Sequence, residues 1–504
     1  MFVRKKRNSS GSTSVQILAK SGGLNKVVEI IGCSKVASEI DLLVTKAEHR
    51  ILELNPQLSF DFKSAQDNLI LNYLQSSHLP RPKISSVGID LVLGKIFDRI
   101  GFNKIQHDLF RSIVLSRLSY PSSKLRTTEY LERHQGKIIS VSSIYRFLDK
   151  YYKELKEEAE KIAYEHTKKV VGEIRVIFYD MTTLYFEAEQ EDDFRKIGFS
   201  KDGKFQNPQI MLGLLVAEGG YPIGYDVYEG NKFEGETLIP ILEGITLKYR
   251  LPKPIVIADS GLLSKENINT LTEKGYEFIL GARIKNEKKD IKDKIIASNL
   301  KEGEYSEFPK SERCRLIVAH SAKRAKKDAY NRERGIKRLN KIISSGKLSK
   351  DKINSRGYNK FLSIDSEIAV SLNQNKIEED KQWDGLKGYL TNTKLSADTI
   401  LEHYRHLWQI EKAFRISKTD LRIRPIYHRK NTRIKAHISV AFVAYTIFKE
   451  LERLLKEKKI NLSPTKAIES LKTIYKIEFL LPDSMQTVVS YANLTEEQQK
   501  LMEI

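Results

Sequence analysis

Three acids carry the chemistry this sequence could perform. Asp180 closes the apolar run EIRVIFYD, Asp259 closes PIVIAD, and Glu411 stands in YRHLWQIEKAFRISK, residues 404–418, a run with helical periodicity. Two aspartates at strand ends and one helix-borne glutamate make an all-oxygen set, suited to Mg²⁺ or Mn²⁺ rather than zinc. Two such ions about 3.5–4 Å apart would activate water or a 3′-hydroxyl and stabilise the leaving oxygen of a phosphodiester displacement. Taken singly, an aspartate closing a strand is more often a helix cap or turn former, and Glu411 could be a salt-bridged residue of an ordinary amphipathic helix. The set and its order along the chain carry the reading.

On one unbroken helix, Tyr404 and Lys418 lie seven positions either side of Glu411, nearly two whole turns, and share its stripe. Arg415, four residues on, lies beside it. Leu407, Trp408, Ile410 and Phe414 supply the apolar positions that would dock this helix, so Trp408 is expected in the core.

The totals narrow the setting. A chain of 504 residues, 40% hydrophobic and 30% charged, is long enough for about three globular domains. A net charge of +21 and a pI near 9.5 favour a polyanionic partner, nucleic acid before membrane. Two cysteines, Cys33 and Cys314, exclude a disulfide framework and a Cys-based zinc site, and fit a reducing compartment. The N-terminal residues lack a signal-peptide apolar core, and the longest apolar run, residues 438–448, is too short to span a bilayer. The expected location is intracellular, in the cytoplasm. Arg4-Lys5-Lys6-Arg7 reads as a nuclear address or as solvated charge.

The elements that must position the acids follow from pattern. Residues 14–32 read as two strands around Gly22-Gly23, forming a small N-terminal sheet with residues 2–6; residues 37–75 are helical in pattern. Residues 89–169 are helical and charged. Pro121-Ser122-Ser123 signals a helix entry, and residues 140–152 read as a capped helix. With the Gly136 turn this is a helix-turn-helix, with Ser142, Ser143, Tyr145, Arg146 and Lys150 near DNA, or a helical hairpin that binds nothing. From residue 173 come three strands expected to pair antiparallel, then helix, strand, helix, strand. That order fits a ribonuclease H-like core and other mixed α/β folds. Residues 286–396 interrupt the core with a basic helical stretch (322–343) and short strands. The expected segments are 1–60, a small β/helical region; 61–170, helical and DNA-binding; 171–285 and 397–450, the two parts of an α/β core; 286–396, a β-containing insertion; and 451–504, a helical tail.

FYDMTTLYFE, IVIADSGLLS and YRHLWQIEKAFRISK, in that order, resemble the three catalytic blocks of DDE transposases of bacterial insertion sequences. The branch resembled has a Tyr–Arg–Glu–Lys signature and a β-rich insertion before the glutamate. The resemblance implies that Asp180, Asp259 and Glu411 bind the metal ions, and that Tyr404 and Lys418 hold phosphates of the transposon end. The signature's arginine is Leu407 here, and Arg415 is expected to supply the missing contact. Trp383, in KQWDGLKGY, matches the family's insertion-domain tryptophan, on which a flipped base stacks; apolar packing is the alternative. Arg422, Arg424, Arg429, Lys430 and Arg433 form a basic run expected to track DNA, strongly salt-dependently. His428 and His437 could be ligands, or structural. A homodimer bridging two DNA ends is also implied. The rivals are a nuclease on the same core and an inactive DNA-binding derivative.

Overall fold

The computed structural model describes residues 1–54, 82–262, 264–345, 357–364, 370–481, 484 and 486–504. The helical pattern expected to continue from residue 55 to 75 lies outside them. The chain divides into two compact units, residues 1–81 with 480–486, and 82–479 with 487–504.

In the first unit, β1 (Phe2–Arg7), β2 (Thr13–Ser21) and β3 (Leu24–Ser34) form an antiparallel sheet in that order. Gly22 and Gly23 both take positive φ, which a two-residue hairpin turn requires. Helix α1 (Ala37–Leu54) closes one face of the sheet through Ala47, against Val15 and Ile17. The expected N-terminal sheet is present.

After β4 (Lys83–Ser86) and a short helix, Lys95–Ile100, the second unit continues with helices α2 (Asp108–Ser119), α3 (Lys124–Gln135), α4 (Val141–Lys150) and α5 (Lys156–Val171). The two serine caps expected from sequence are in place: Ser123 accepts from Arg126 N–H and Ser140 from Ser143 N–H. Gly136, with φ of 65°, ends α3 in the left-handed conformation that turns the chain towards α4.

The sheet follows. β5 (Val176–Tyr185), β6 (Gln209–Val216) and β7 (Pro222–Glu229) pair antiparallel; β8 (Ile255–Ala258) and β9 (Phe278–Ala282) add on the other side of β5, parallel to it. Helices α6 (Leu238–Tyr249) and α7 (Lys265–Glu273) make the two crossovers. The order β9-β8-β5-β6-β7 is that of a ribonuclease H-like core. Beyond β9, β14 (Leu386–Thr391), β11 (Arg315–His320) and β10 (Tyr305–Pro309) continue the same sheet antiparallel, giving eight strands. Thus strands of the interrupting segment extend the core sheet. The basic stretch of that segment is helix α8 (Ala322–Ser344).

Three local expectations are overturned. Asp180 does not end its strand: β5 runs on through Met181–Tyr185, because those residues pair with Gln209–Gly213 of β6. Residues 404–418 are not one helix. Helix α9 (Ala397–Arg405) stops, His406 and Leu407 turn, and α10 (Trp408–Arg415) restarts, followed by a π turn over Ile416–Asp420. The single unbroken helix expected to put Tyr404, Glu411 and Lys418 on one stripe is therefore absent. Trp408 is not core either; it is 52% exposed, with the Lys412 ammonium over its ring. Leu407, Ile410 and Phe414 do dock the helix.

Helix α11 (Asn431–Glu457) is buried along most of its length, from Ile434 to Leu455, and packs on α2, α4, α5 and β7. Among the described residues no helix is long and apolar enough to cross a membrane. One acid near the end of α11, Glu452, holds the glutamate-bearing helix. Glu452 accepts from Lys412 of α10 and from Lys449. Burial pushes the Glu452 carboxyl up, but the two ammonium groups outweigh it and hold it below the usual range. Glu450 is gripped by Arg453 and His166. Breaking such a buried set is costly. Glu452→Gln is expected to lower the unfolding free energy by about 3 kcal/mol or more, read from denaturant midpoints at pH 7; a change under about 1 kcal/mol would show that the clamp does not hold α10.

Candidate active site

Asp180 lies in the middle of the sheet on β5, half-buried, and accepts the Met181 N–H at 2.7 Å. Burial is the main reason its carboxyl is pushed up to about 6; Glu234 and Asp259 add to that rise and Lys201 opposes it. Lys201 reaches in from the β5–β6 loop. Its ammonium stands 3.5 Å from Asp180 Oδ1 and 2.6 Å from Glu234 Oε1, and donates to the Met181 carbonyl at 2.7 Å. Glu234 follows β7, at the entry to α6, and packs by the loop that carries Asp259.

Asp259 directly follows β8 and is exposed. The buried Tyr404 hydroxyl donates to its Oδ1 at 3.2 Å. Space for this contact exists because residue 281 on β9 is glycine. A Cβ there would meet the Tyr404 oxygen at 2.5 Å and Asp259 Oδ1 at 3.2 Å. Lys387 of β14 lies over the Tyr404 ring, 4.3 Å from its centre. Burial, then Arg324, lower the Lys387 ammonium, while Asp259 and Glu411 support its charge. Glu411 is exposed on the first turn of α10.

The three expected acids thus share one electrostatic neighbourhood but do not close into a cage. Among the described residues no three Asp, Glu, His or Cys side chains stand close enough to hold one ion together. Lys201 at Asp180, and Lys387 between the fields of Asp259 and Glu411, supply positive charge there.

The basic residues are more varied than their sequence run suggests. Lys418 is nearly buried and lies 3.2 Å from both oxygens of Asp202; Arg424 Nη1 is 2.9 Å from the same carboxylate. Arg433 makes two bonds to Asp149, at 2.8 and 2.6 Å, and lies over Tyr145. Arg422, Arg429 and Lys430 are exposed. Ile426 bridges to Phe186, which fixes this segment to the end of β5. Arg415 is exposed in a cleft with Lys412, Asp420 and Glu452, which none of the three acids lines. His428 and His437 are buried within 5.4 Å of each other, and the His437 ring contacts the Ile423 carbonyl at 3.0 Å. Ser143 is engaged by Ser140 and Arg146.

Trp383 is half-buried against the cluster of Ile284, Leu316, Val318 and Leu386. It also lines a cleft of about 700 Å³ that reaches Asp259 and Lys387 and carries Arg324 and Arg332 of α8. Arg332 is held by Asp384 in a two-bond pair. Sequence reasoning missed Glu234, Lys201, Asp202 and Lys387. Glu234, Lys201 and Asp202 lie in loops or short turns, and Lys387 is on β14. Only Lys387, four residues after Trp383 in KQWDGLKGY, lay in a stretch already marked.

A ribonuclease H-like sheet with an aspartate on its central strand and another at the end of the next defines a nucleic-acid-processing core. The family model described as Transposase DDE domain matches residues 172–447, more than half of the chain, and the chain belongs to that family. The DDE transposases are enzymes of DNA cleavage and strand transfer in transposition, and use divalent metals. Solved structures that it resembles include the piggyBac transposase synaptic complex with hairpin DNA (9% identity, 76% of each chain, TM-score 0.37). Others are the Mos1 transposase paired-end complex with left transposon end (13% identity, 46% of this chain and 71% of that one, TM-score 0.16) and the Mos1 mariner paired-end complex with Mn (12%, 46% and 72%, TM-score 0.15). Among curated proteins none matches significantly.

Asp202 holds two cations that a phosphate backbone could use. Asp202→Ala is expected to free Lys418 and Arg424, tighten binding to duplex DNA, and steepen the dependence of log K on log salt by about 2. Fluorescence anisotropy across a salt series reads this, and an unchanged slope would show that neither cation reaches a phosphate.

Proposed function

We propose that this protein is the transposase of an insertion sequence, cutting the element's ends and joining the freed 3′-hydroxyls to target DNA. The observation that carries the reading is the Lys201 ammonium seated between Asp180 and Glu234 beside Asp259. Carboxylates that already draw an ammonium reaching in from a surface loop form an all-oxygen donor set that fits hard divalent ions, Mg²⁺ or Mn²⁺. Asp180, Asp259 and Glu411 would hold them. Bound there, a pair of such ions would supply an activated water or 3′-hydroxyl and stabilise the leaving oxygen.

The chain's own groups do the rest. Tyr404 orients Asp259 through its hydroxyl. Lys387 offers its ammonium to a phosphate approaching Asp259 and Glu411. In this reading Trp383 stacks an unpaired base at the mouth of the cleft that leads to Asp259. Arg422, Arg429 and Lys430 contact backbone phosphates directly, while Lys418, Arg424 and Arg433 do so by exchanging their carboxylate partners. Arg415 joins them if DNA follows α10 into its cleft. Of residues 61–170, the described helices α2 to α5 serve as the end-binding region, and residues 286–396 serve as the insertion. Two copies pair two ends, acting on DNA in the cytoplasm.

The test is a plasmid assay with two element ends in Mg²⁺. The full chain is expected to nick at the ends and transfer strands, and Asp180→Asn, Asp259→Asn and Glu411→Gln each to lose at least about a hundredfold in rate. Cleavage of single unpaired ends without transfer would make the chain a nuclease; binding without cleavage would make it an inactive derivative.

A further inference from the structure

A second cavity, of about 510 Å³, opens between the start of α3 and residues 422–428. Five cations line it, Arg117, Lys124, Arg126, Arg422 and Arg424, and no acid does. Two of them are deeply buried: Arg117 is 5% exposed and Lys124 6%. Among the described residues Arg117 reaches only the Leu421 carbonyl at 3.4 Å and the His437 ring at 3.5 Å. Those contacts are too long and too few for a guanidinium with five N–H donors. The Lys124 ammonium, which burial and then Arg117 lower well below its ordinary value, has no hydrogen-bond or ion-pair partner among the described residues. The Nε of Arg424 is buried and unpaired as well.

The local field makes this worse. Lys124 is the first residue of α3, a helix of 12 residues, where the backbone dipole presents its positive end. Cations are favoured at the other end of a helix. His428 is pushed down to about 3, first by burial and then by Lys124 and Arg117, and His437 is lowered for the same reasons. Both rings stay neutral and add no counter-charge. Buried charges of one sign around one cavity are tolerated when a ligand of the other sign completes them.

We propose that this cavity is a phosphate-binding site, in which Arg117, Lys124 and Arg424 grip one phosphate group. A tetrahedral oxyanion carrying more than one acceptor oxygen matches converging guanidinium and ammonium donors better than a single carboxylate does. The phosphate belongs to bound DNA, within the backbone or at a strand terminus, or is a free phosphate. Arg424 links the cavity to the acids: its Nη1 holds Asp202, and the adjacent Lys201 holds Asp180. The binding site stands on these contacts whether or not the chain transfers strands.

The test uses the full chain, in thermal unfolding at constant ionic strength, with chloride replaced stepwise by inorganic phosphate. The wild type is expected to gain several degrees in a saturable manner. Lys124→Met is expected to unfold at a higher temperature than wild type without phosphate, since a buried, unpartnered amine is gone, and to ignore phosphate. A merely structural lysine would give the reverse, a lower midpoint with the phosphate response kept, and would overturn the proposal. Arg424→Gln is the second variant, expected to weaken the phosphate response about tenfold. An unchanged phosphate response in both variants also overturns it. The source follows from 5′-phosphorylated and 5′-hydroxyl duplexes. A preference for the phosphorylated end that Lys124→Met abolishes assigns a terminal phosphate, and equal binding that it weakens assigns a backbone phosphate. DNA binding that it leaves unchanged, with the inorganic phosphate response lost, assigns a free phosphate.

Discussion

A carboxylate in the middle of a buried sheet needs a cation, and much of this structure is arranged around that need. Asp180 stands on the central strand, flanked by β6 and β8, with Phe178 and Tyr179 before it and Met181 and Thr182 after it, all buried. Water cannot solvate it fully, so its proton is held more tightly than on a free aspartate. Lys201 answers that charge together with Glu234. The loop carrying Lys201 is itself pinned: Lys196 bridges to Gln209, and the Asn207 side chain donates to the Phe186 carbonyl. The next residue, Asp202, then meets Lys418 and Arg424. One loop thus places an ammonium among acids and a carboxylate among bases, in consecutive positions. In the proposed function the first imitates a metal ion and the second a phosphate.

The remaining charges follow the same logic of local compensation. Glu452 and Glu450, near the end of the buried helix α11, are matched by Lys412, Lys449, Arg453 and His166, which fixes the helix bearing Glu411. Arg332 in the cleft is matched by Asp384. The cavity around Arg117 and Lys124 departs from this rule among the described residues, and it lies next to the arginine segment that already faces Asp202. Among the described residues, the buried Arg332 and Lys449 are thus each held by a carboxylate, whereas the buried Arg117 and Lys124 are not.

Much of the fold was legible in local pattern. The apolar runs gave β5, β6, β7, β8 and β9 in order; Ser123, Ser140 and Gly136 marked helix ends through side-chain caps and a left-handed turn. Asp259 was placed where its strand ends. The break at His406-Leu407 was not legible, because neither glycine nor proline marks it. Tertiary demands decide there: Tyr404 must reach Asp259 while Ile410 and Phe414 dock on the core. Asp180 looked terminal because an apolar run stopped at it, but Thr182, Thr183 and Tyr185 are good strand residues and prolong β5. Glu234, Lys201 and Lys387 come from three loops or strands distant in sequence, and only the sheet order brings them to the acids.

The claim that Asp180 anchors a cation site which Lys201 fills is tested most directly by titrating the protein with Mn²⁺ and reading free Mn²⁺ by electron paramagnetic resonance. Wild type, Asp180→Asn and Lys201→Met would be compared at one pH and ionic strength. The account requires Asp180→Asn to lose at least about tenfold in affinity and Lys201→Met, freed of the competing ammonium, to gain. Binding by Asp180→Asn equal to wild type, or weaker binding by Lys201→Met, would contradict it.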